Sequence, residues 1–427
     1  MSVALPSITG VRLTPILIAD PPLLNLSGVH QPYTPRLIVE VLTSAGVIGL
    51  GETYGDAVYL ERAAALSREL IGMSIGAVNA VAGLGRGADA LLNDAPAASG
   101  LRGVLTTDKV RSSVVSAFEV AVFDALGRHL GVPVHTLLGG AVRDRVEYSG
   151  YLFYKWAEHP VEGASSDDWD AALDPAGIVA QARKFLAYGG FRSFKLKGGV
   201  LPPEQEIAAI RALAAEFPGA PLRLDPNGGW SMRTALQVAE ELAGTIEYLE
   251  DPTAGLDDLA ELHRRTAIPL ATNMIVTCFD EIRPAFDRDA VQIVLSDHHF
   301  WGGLLATRDL AAICRTYGRG LSIHSNTHLG ISLAAMTQVA ATVPDLDYAC
   351  DTHYPWQSED VLTERFRFTD GCVAVPDAPG LGVDLDRAAM ARLHERWKAL
   401  PEYRNRDDVA AMRRADPAYR APAAPKF

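Results

Sequence analysis

The chain has 427 residues, more than one hydrophobic core usually supports, so we expect at least two structural units. Its formal net charge of −13, with no basic run interleaved with aromatics, argues against a nucleic-acid partner. No apolar stretch is long enough to cross a membrane, and four scattered cysteines without CxxC spacing favour a reducing cytoplasmic setting over a disulfide framework or a zinc knuckle.

The first third of the chain predicts an α+β unit, which we place at residues 1–140. Two strand-like runs, ITGVRLTPILI and RLIVEVLTSAGVIGLGE, come first, and the second contains a turn at residues 44–46. Helical spacing follows, and the segment SSVVSAFEVAVFDALGRHLG ends at Gly131 with Pro133 beyond, a usual pattern for a helix C-terminus.

From about residue 146 onward, short strands alternate strictly with helices. Eight strand-like runs precede residue 354, and this alternation predicts a parallel β/α barrel, with a doubly wound open sheet as the lesser alternative. We assign residues 141–358 to this catalytic unit. The segment 359–427 is rich in loops, contains one predicted helix near residues 386–400, and is expected to pack back on the barrel and the first unit.

Two lysines, Lys195 and Lys197, lie in the strand-like heptad FKLKGGV and therefore point to the same side of the strand. One interpretation is a solvated edge strand. The other is a catalytic pair in a pocket, where mutual repulsion and desolvation lower the pKa of one lysine until it can act as a base. The heptad alone leaves both interpretations open.

Polar residues follow the predicted strands at their carboxyl ends, the rim where β/α barrels build active sites. After the third to eighth strands these residues are Asp225 and Asn227, Glu250 and Asp251, Asn273, Asp297, His324 and His353. Taken singly, Asp225 is explained by an Asx-turn and His324 by a core position. Together, Asp225, Glu250 and Asn273 supply three hard oxygen ligands, which suit Mg²⁺.

These rim residues carry a resemblance to a known family. The order Lys-x-Lys, Asp, Glu, then an acid and a histidine resembles the enolase superfamily, in its mandelate racemase-like subgroup. The motifs LLNLSGVH, GYLFY, FKLKGGV, LDPNGGWS, ATNMI, SDHHFW, HSNTHLGISLA, DTHYPWQ and RDD resemble the glucarate dehydratase family along most of the chain. The resemblance implies an α/β fold, an enolase-type modified (β/α)7β TIM barrel with an N-terminal α+β capping domain.

The resemblance also implies a role for each motif residue. Mg²⁺ would be held by Asp225, Glu250 and Asn273. Lys197 would be one base, and His324, oriented by Asp297, would be the base on the opposite face of the substrate carbon. Lys195 would stabilise developing negative charge, and Asn227 would complete the catalytic set. The expected substrate contacts are Asn25, His30, Thr107 (or its neighbour Thr106), Tyr151, Asn326, His353 and Arg406.

The reaction that the resemblance implies is Mg²⁺-dependent dehydration of a small aldaric acid, D-glucarate and its epimer L-idarate, to 5-keto-4-deoxy-D-glucarate. Thr327 and the pair Tyr354-Pro355 depart from the expected motifs, so another acid sugar such as galactarate stays open. Two different classes also stay open: a Schiff-base lysine enzyme, and a degenerate barrel that only binds or assembles, although no ligand or base position is broken. We further expect a homo-oligomer without nucleic-acid or membrane partners.

Overall fold

The computed structural model describes residues 5–85, 106–161, 164–423 and 425–427. In this part of the chain, no helix combines the length and the apolar character needed to span a membrane. The described residues form a capping unit, a barrel and a C-terminal segment that contacts both.

The capping unit is an antiparallel sheet covered by helices. Its strands are β1 (Ile8–Ala19), β2 (Leu24–Asn25), β3 (Gly28–Val29), β4 (Tyr33–Thr43) and β5 (Ile48–Tyr54). Strands β1, β4 and β5 pair in that order, and β2 and β3 form a separate hairpin. The helices are α1 (Ala57–Leu70), α2 (Val78–Val81), α3 (Thr107–Leu130) and α4 (Val134–Leu137). The predicted α+β unit is confirmed.

Helix α3 is the long helix of the cap, and local signals set both of its ends. The hydroxyl of Thr106 accepts a hydrogen bond from the Lys109 N–H (3.1 Å), which caps the first turn. Gly131 ends the helix with a left-handed φ of 70°, as its position before Pro133 predicts. Most of the helix is buried, because the cap sheet lies on one side and parts of the barrel contact the other.

The barrel contains eight parallel strands joined by helices. The strands are β6 (Arg145–Phe153), β7 (Phe194–Lys197), β8 (Leu222–Asp225), β9 (Tyr248–Glu250), β10 (Leu270–Thr272), β11 (Ile293–Ser296), β12 (Gly320–Ile323) and β13 (Cys350–Thr352). The intervening helices are α5 (Pro175–Gly189), α6 (Pro203–Glu216), α7 (Met232–Glu241), α8 (Leu256–Arg265), α9 (Phe279–Asp287), α10 (His298–Trp301), α11 (Leu304–Thr316) and α12 (Gly330–Ala341).

Seven of the barrel strands follow one another in space in chain order, and β13 closes the circle beside β6. Between β12 and β13 the Ser322 hydroxyl donates to the Ala349 carbonyl (2.9 Å). The interior below the rim is filled by Tyr248, Ala271, Ile293 and Leu295. The predicted (β/α)7β barrel is therefore confirmed, and the open-sheet alternative is excluded.

The C-terminal segment contains more regular structure than its sequence predicts. Helix α13 (Arg387–Ala399) confirms the one predicted helix. The structure adds β14 (Cys372–Ala374), which pairs antiparallel with β6, and α14 (Asp408–Ala415). Both elements are short, and α14 lies against β3 of the cap. Tertiary contacts therefore stabilise elements that local propensity alone does not predict.

The cap is attached to the barrel through buried carboxylates that accept main-chain N–H groups. Glu52 on β5 accepts from Leu329 and Ser332 at the start of α12, both at 2.9 Å, and is paired with the buried Arg36. Glu119 on α3 accepts from Leu304 at the start of α11, and burial raises its pKa to about 8. Each carboxylate satisfies donors that a helix leaves unpaired.

Gly51 provides a test of how closely α3 packs on the cap sheet. A Cβ atom at Gly51 would lie 2.1 Å from the Ala117 carbonyl oxygen of α3. Gly51→Ala should therefore lower the free energy of unfolding by about 1–3 kcal/mol, the usual cost of overpacking. Gly10→Ala is the matched control, since its Cβ would meet only Leu42 at 4.0 Å. Equal denaturation midpoints for the two variants would contradict this packing.

Candidate active site

Strand alternation directs one set of side chains into the mouth of the barrel. Lys195 and Lys197 share a face of β7, and their exposed fractions are 0% and 1%. The solvated-edge interpretation is therefore wrong for this strand, which lies between β6 and β8. Both ammonium groups are buried among carboxylates, and the cost of removing them from water is offset by those partners.

Lys195 is held between two carboxylates from distant strands. Its Nζ donates to Glu250 Oε1 and to Asp351 Oδ2, each at 2.7 Å, and lies over the Tyr151 ring. Burial acts to lower the pKa of Lys195, but Asp351 and Glu250 outweigh it and hold that pKa well above its usual value. Lys195 is thus a permanent cation in this site.

Lys197 has fewer partners and lies nearer the rim. Its Nζ donates to Asp225 Oδ2 at 2.7 Å and to Asn227 Oδ1 at 2.9 Å. The Tyr151 hydroxyl donates to the same Asp225 oxygen at 2.9 Å. Burial favours the neutral acid, but the Lys197 and Lys195 ammonium groups hold the pKa of Asp225 well below its usual range. The structure therefore brings four of the predicted site residues into one hydrogen-bonded group.

The predicted metal ligands lie at the carboxyl ends of three neighbouring strands, with Asn273 directly after β10. Asp225 and Glu250 are fully buried, and the Asn273 amide donates to Glu250 Oε1 at 2.7 Å. Asp251, next to Glu250, fixes the following strand by accepting from the Asn273 N–H at 2.9 Å. Glu250 Oε2 accepts no hydrogen bond from the described residues, although the Lys195 ammonium is 2.6 Å away.

The charges at the mouth fit a divalent cation. Four buried carboxylates (Asp225, Glu250, Asp251 and Asp351) face the ammonium groups of Lys195 and Lys197. The Arg223 guanidinium, which also pairs with Glu247, lies 3.6 Å from Asp351, so the carboxylates still outnumber the cations. Burial and the nearby Asp225 carboxylate raise the pKa of Glu250 well above its usual value, as expected for excess negative charge. Carboxylate and amide oxygens are the ligands that Mg²⁺ prefers, so these residues fit the ion.

A buried dyad enters the mouth from another wall of the barrel. His324, directly after β12, places Nδ1 3.2 Å from Asp297 Oδ2. One nitrogen or oxygen atom from each of Glu250, His324 and Asp351 lies within 4.8 Å of the others, so the imidazole reaches the acidic cluster. Burial acts to raise the pKa of Asp297, but the contacts with His299 and His324 outweigh burial and hold that pKa well below its usual range.

The predicted substrate contacts from the cap and tail form one network. His30 Nδ1 lies 3.3 Å from Asp20, and Arg406 approaches Asp20 at 3.4 Å and Asp408 at 3.1 Å. The Asn25 amide donates to the same Asp408 at 2.8 Å. The guanidinium of Arg406 is therefore already paired with two carboxylates, which its sequence motif does not reveal.

The remaining predicted contacts lie around the rim. His353 stacks edge-on against Tyr151, and burial keeps its pKa well below the usual value. Its Nε2 atom, like that of His30, has no hydrogen-bond partner among the described residues. Asn326 donates to the Tyr54 hydroxyl of the cap at 3.1 Å. Thr106 is exposed at the cap position of α3, whereas Thr107 is half-buried.

Sequence reasoning missed two residues of the site. Asp351 pairs with Lys195, and it shares the inward face of its strand with the predicted His353, so alternation could have revealed it. His299 places Nδ1 2.9 Å from Asp297 and Nε2 3.1 Å from the Ser332 hydroxyl. Its partner Ser332 lies 33 residues away, and no local pattern indicates that contact.

Comparison with known protein families matches both structural units. Residues 14–139 match the mandelate racemase / muconate lactonizing enzyme N-terminal domain, and residues 177–389 match the enolase C-terminal domain-like family. A probable glucarate dehydratase from Streptomyces coelicolor is 63% identical, with 99% of each chain covered. Muconate cycloisomerase 1 from Rhodococcus opacus is 32% identical, covering 90% of this chain and 97% of that protein.

Solved structures give the same result. An enolase from Pseudomonas fluorescens Pf0-1 with bound magnesium, potassium and tartrate superposes with a TM-score of 0.94 at 48% identity, covering 99% of this chain and 100% of that chain. An enolase from Mycobacterium smegmatis complexed with tartrate gives a TM-score of 0.93 at 51% identity, with both chains fully covered.

The two lysines should differ in their effect on stability. Lys195→Met leaves Glu250 and Asp351 facing each other without their shared cation, so we expect a loss of about 3–5 kcal/mol in unfolding free energy. Lys197→Met should cost less, since Asp225 keeps the Tyr151 hydroxyl as a donor. Chemical denaturation in the presence of chelator measures both. A larger loss for Lys197→Met would refute this ordering.

Proposed function

We propose a specific reaction on the premise that the chain belongs to the mandelate racemase and muconate lactonizing enzyme family of the enolase superfamily and is a glucarate dehydratase-like enzyme. The reaction is Mg²⁺-dependent dehydration of D-glucarate, and of its epimer L-idarate, to 5-keto-4-deoxy-D-glucarate. The observation that carries the proposal is the convergence of Lys197 and the His324–Asp297 dyad, from different walls, on one cluster of buried carboxylates.

The metal ligands in this proposal are Asp225, Glu250 and Asn273. A bound Mg²⁺ supplies positive charge beside a substrate carboxylate, which acidifies the neighbouring C–H bond. Lys195 adds a second cation at the same place, since its pKa is held far above neutrality. Preorganised charge of this kind is usually the largest contribution to such catalysis. A relative with bound magnesium and tartrate, a hydroxy diacid, supports both the ion and the ligand class.

Proton removal is assigned to two bases. β7 and β12 lie on different sides of the barrel, so Lys197 and His324 approach the substrate carbon from different directions. Asp297 accepts the Nδ1–H of His324, which leaves Nε2 as the atom that takes the proton. For D-glucarate we assign His324 as the base, and for the epimer of opposite configuration Lys197, with Asn227 orienting its ammonium group.

Elimination follows from the same geometry. When the α-proton leaves, its electron pair moves toward the carboxylate, where Lys195 faces the developing charge. The adjacent C–O bond then breaks, and the protonated His324 gives its proton to the departing hydroxyl, so water is released. The resulting enol becomes a ketone by taking up a proton at the carbon that lost the hydroxyl. The net reaction is the loss of one water molecule from the aldarate.

A Schiff-base mechanism at Lys195 is disfavoured by the charges. Such an enzyme needs a neutral amine, whereas Lys195 is held as a cation by two carboxylates. The second carboxylate of the substrate is assigned to His30, His353 and Arg406. With Nδ1 accepting from the Ser325 hydroxyl, the unpartnered Nε2 of His353 supplies a donor that needs no additional cation. His30, whose Nδ1 faces Asp20, donates from Nε2 only as an imidazolium.

The first test concerns the metal. Chelation should abolish dehydration, and Mg²⁺ should restore it. Asp225→Asn should remove Mg²⁺ binding measured by calorimetry while thermal unfolding stays cooperative, because one ligand charge is lost and the side-chain shape is kept. Full turnover in excess chelator would be incompatible with the proposal.

The second test concerns the two bases. His324→Asn should reduce dehydration of D-glucarate by roughly 10²- to 10⁴-fold, the usual contribution of a general base. The variant should still exchange the α-proton of L-idarate with solvent deuterium through Lys197, and Lys197→Met should show the converse. Proton NMR in D₂O measures both. Normal dehydration of D-glucarate by His324→Asn would show that the base is misassigned.

The third test concerns the distal carboxylate. Arg406→Lys keeps the charge balance with Asp20 and Asp408 but loses the planar fork that binds a carboxylate with two hydrogen bonds. We expect kcat/KM for D-glucarate to fall about 10-fold or more, with little change for D-gluconate, which lacks that carboxylate. Arg404→Lys is the control, since Arg404 contacts Trp397 and Lys398 instead. If the unmodified enzyme uses D-gluconate as well as D-glucarate, the assignment fails.

A further inference from the structure

Two loops leave the barrel directly after the residues that surround Lys197. The Gly198 N–H donates to the Asp225 carbonyl at 2.8 Å, which joins the loop after β7 to the end of β8. A Cβ atom at Gly199 would lie 2.5 Å from the Pro226 carbonyl oxygen, so the two loops are in direct main-chain contact. Lys197 precedes the first loop and Asn227 lies in the second.

A buried carboxylate fastens the first loop from one side. Glu206, on α6, is fully buried and accepts the N–H groups of Gly199 (3.0 Å), Val200 (2.9 Å) and Leu201 (3.0 Å). Three successive main-chain donors on one carboxylate fix the path of the loop.

The last described residues fasten both loops from the other side. The Lys426 ammonium donates to the carbonyls of Gly199 (3.0 Å) and Val200 (2.7 Å). The Lys426 and Phe427 N–H groups lie 2.8 and 3.1 Å from the Gly229 carbonyl, and the Ser231 N–H donates to the Phe427 oxygen at 2.5 Å. The tail thus bridges the loop after β7 and the loop after β8.

We propose that Glu206 and Lys426 form a loop clamp, a pair of positioning residues that keeps Lys197 and Asn227 aligned at one face of the substrate. The proposal rests on the proposed function only in assigning that face to Lys197. Val200 receives a hydrogen bond at its carbonyl from one residue and gives its N–H to the other, so the loop is held on both edges. A displacement of a fraction of an ångström at a base is enough to reduce rate.

The clamp positions Lys197 and does not contact His324. His324 and Asp297 follow β12 and β11, and among the residues that the structure describes no hydrogen bond or ion pair joins them to Glu206 or Lys426. Loosening the clamp should therefore change the Lys197-dependent rate on L-idarate and the His324-dependent rate on D-glucarate unequally. A variant that is merely less stable would lower both, so the ratio of the two rates separates positioning from stability.

The test uses the full chain with Mg²⁺ and the variants Lys426→Met and Glu206→Gln. The controls are Lys398→Met, whose lysine pairs with Glu395 in α13, and Glu204→Gln, exposed in the first turn of α6. We expect Lys197-dependent proton exchange on L-idarate to fall about 10-fold or more in kcat, with D-glucarate dehydration changed less than about 3-fold. Hydrogen–deuterium exchange of a peptide spanning residues 198–202 should speed up in both variants and in neither control.

Equal losses on both substrates, or unchanged exchange of residues 198–202, would overturn the clamp. If the unmodified enzyme acts on neither substrate, the proposed function fails, and the exchange measurement alone decides: faster loop exchange than in both controls supports the clamp, and unchanged exchange refutes it. If Glu206→Gln does not fold, Lys426→Met gives the same decision, because the hydrogen bonds of the Lys426 ammonium to described residues go to the loop carbonyls of Gly199 and Val200.

Discussion

The feature on which the rest of this structure depends is the excess of negative charge buried at the mouth of the barrel. Desolvating carboxylates is unfavourable unless cations and donors compensate them. Lys195 meets this need for Glu250 and Asp351, and Lys197 meets it for Asp225. The negative charge that remains favours a divalent cation, so the stability of the site and the chemistry proposed for it have the same origin.

The parallel barrel makes such a cluster possible from residues far apart in sequence. Lys195 and Asp351 are 156 positions apart, yet they meet because β7 and β13 both pair with β6. Alternation places every second side chain inward, and the carboxyl ends of all strands open at one rim. The cap contacts this rim where Asn326 donates to Tyr54, and the rim side chains are buried, which strengthens each electrostatic contact between them.

Much of the fold and of the site could be predicted from the sequence because both follow local periodicities. Alternating strands and helices predicted the barrel, and the Lys-x-Lys spacing predicted two side chains on one face. Contacts that depend on tertiary packing were not predictable. No pattern near Arg406 indicates its pairing with Asp20, 386 positions away, and none near Glu206 indicates its three main-chain donors. Thr327 and the pair Tyr354-Pro355, which depart from the expected motifs, are buried, and the Tyr354 hydroxyl donates to Asp360.

The chemical difference between the two lysines follows from their depth in the barrel. Lys195 lies one inward position deeper, donates to Glu250 and Asp351 and lies 3.5 Å from Asp225, so these carboxylates favour its charged form. Lys197 contacts one carboxylate and one neutral amide, at the start of a loop rather than within the sheet. In its proposed role as a base, Lys197 must exchange its proton and therefore needs fewer fixed partners, but it also loses the alignment that those partners give. Main-chain contacts to the loop behind it, from Glu206 and Lys426, restore alignment without adding a charge at Nζ.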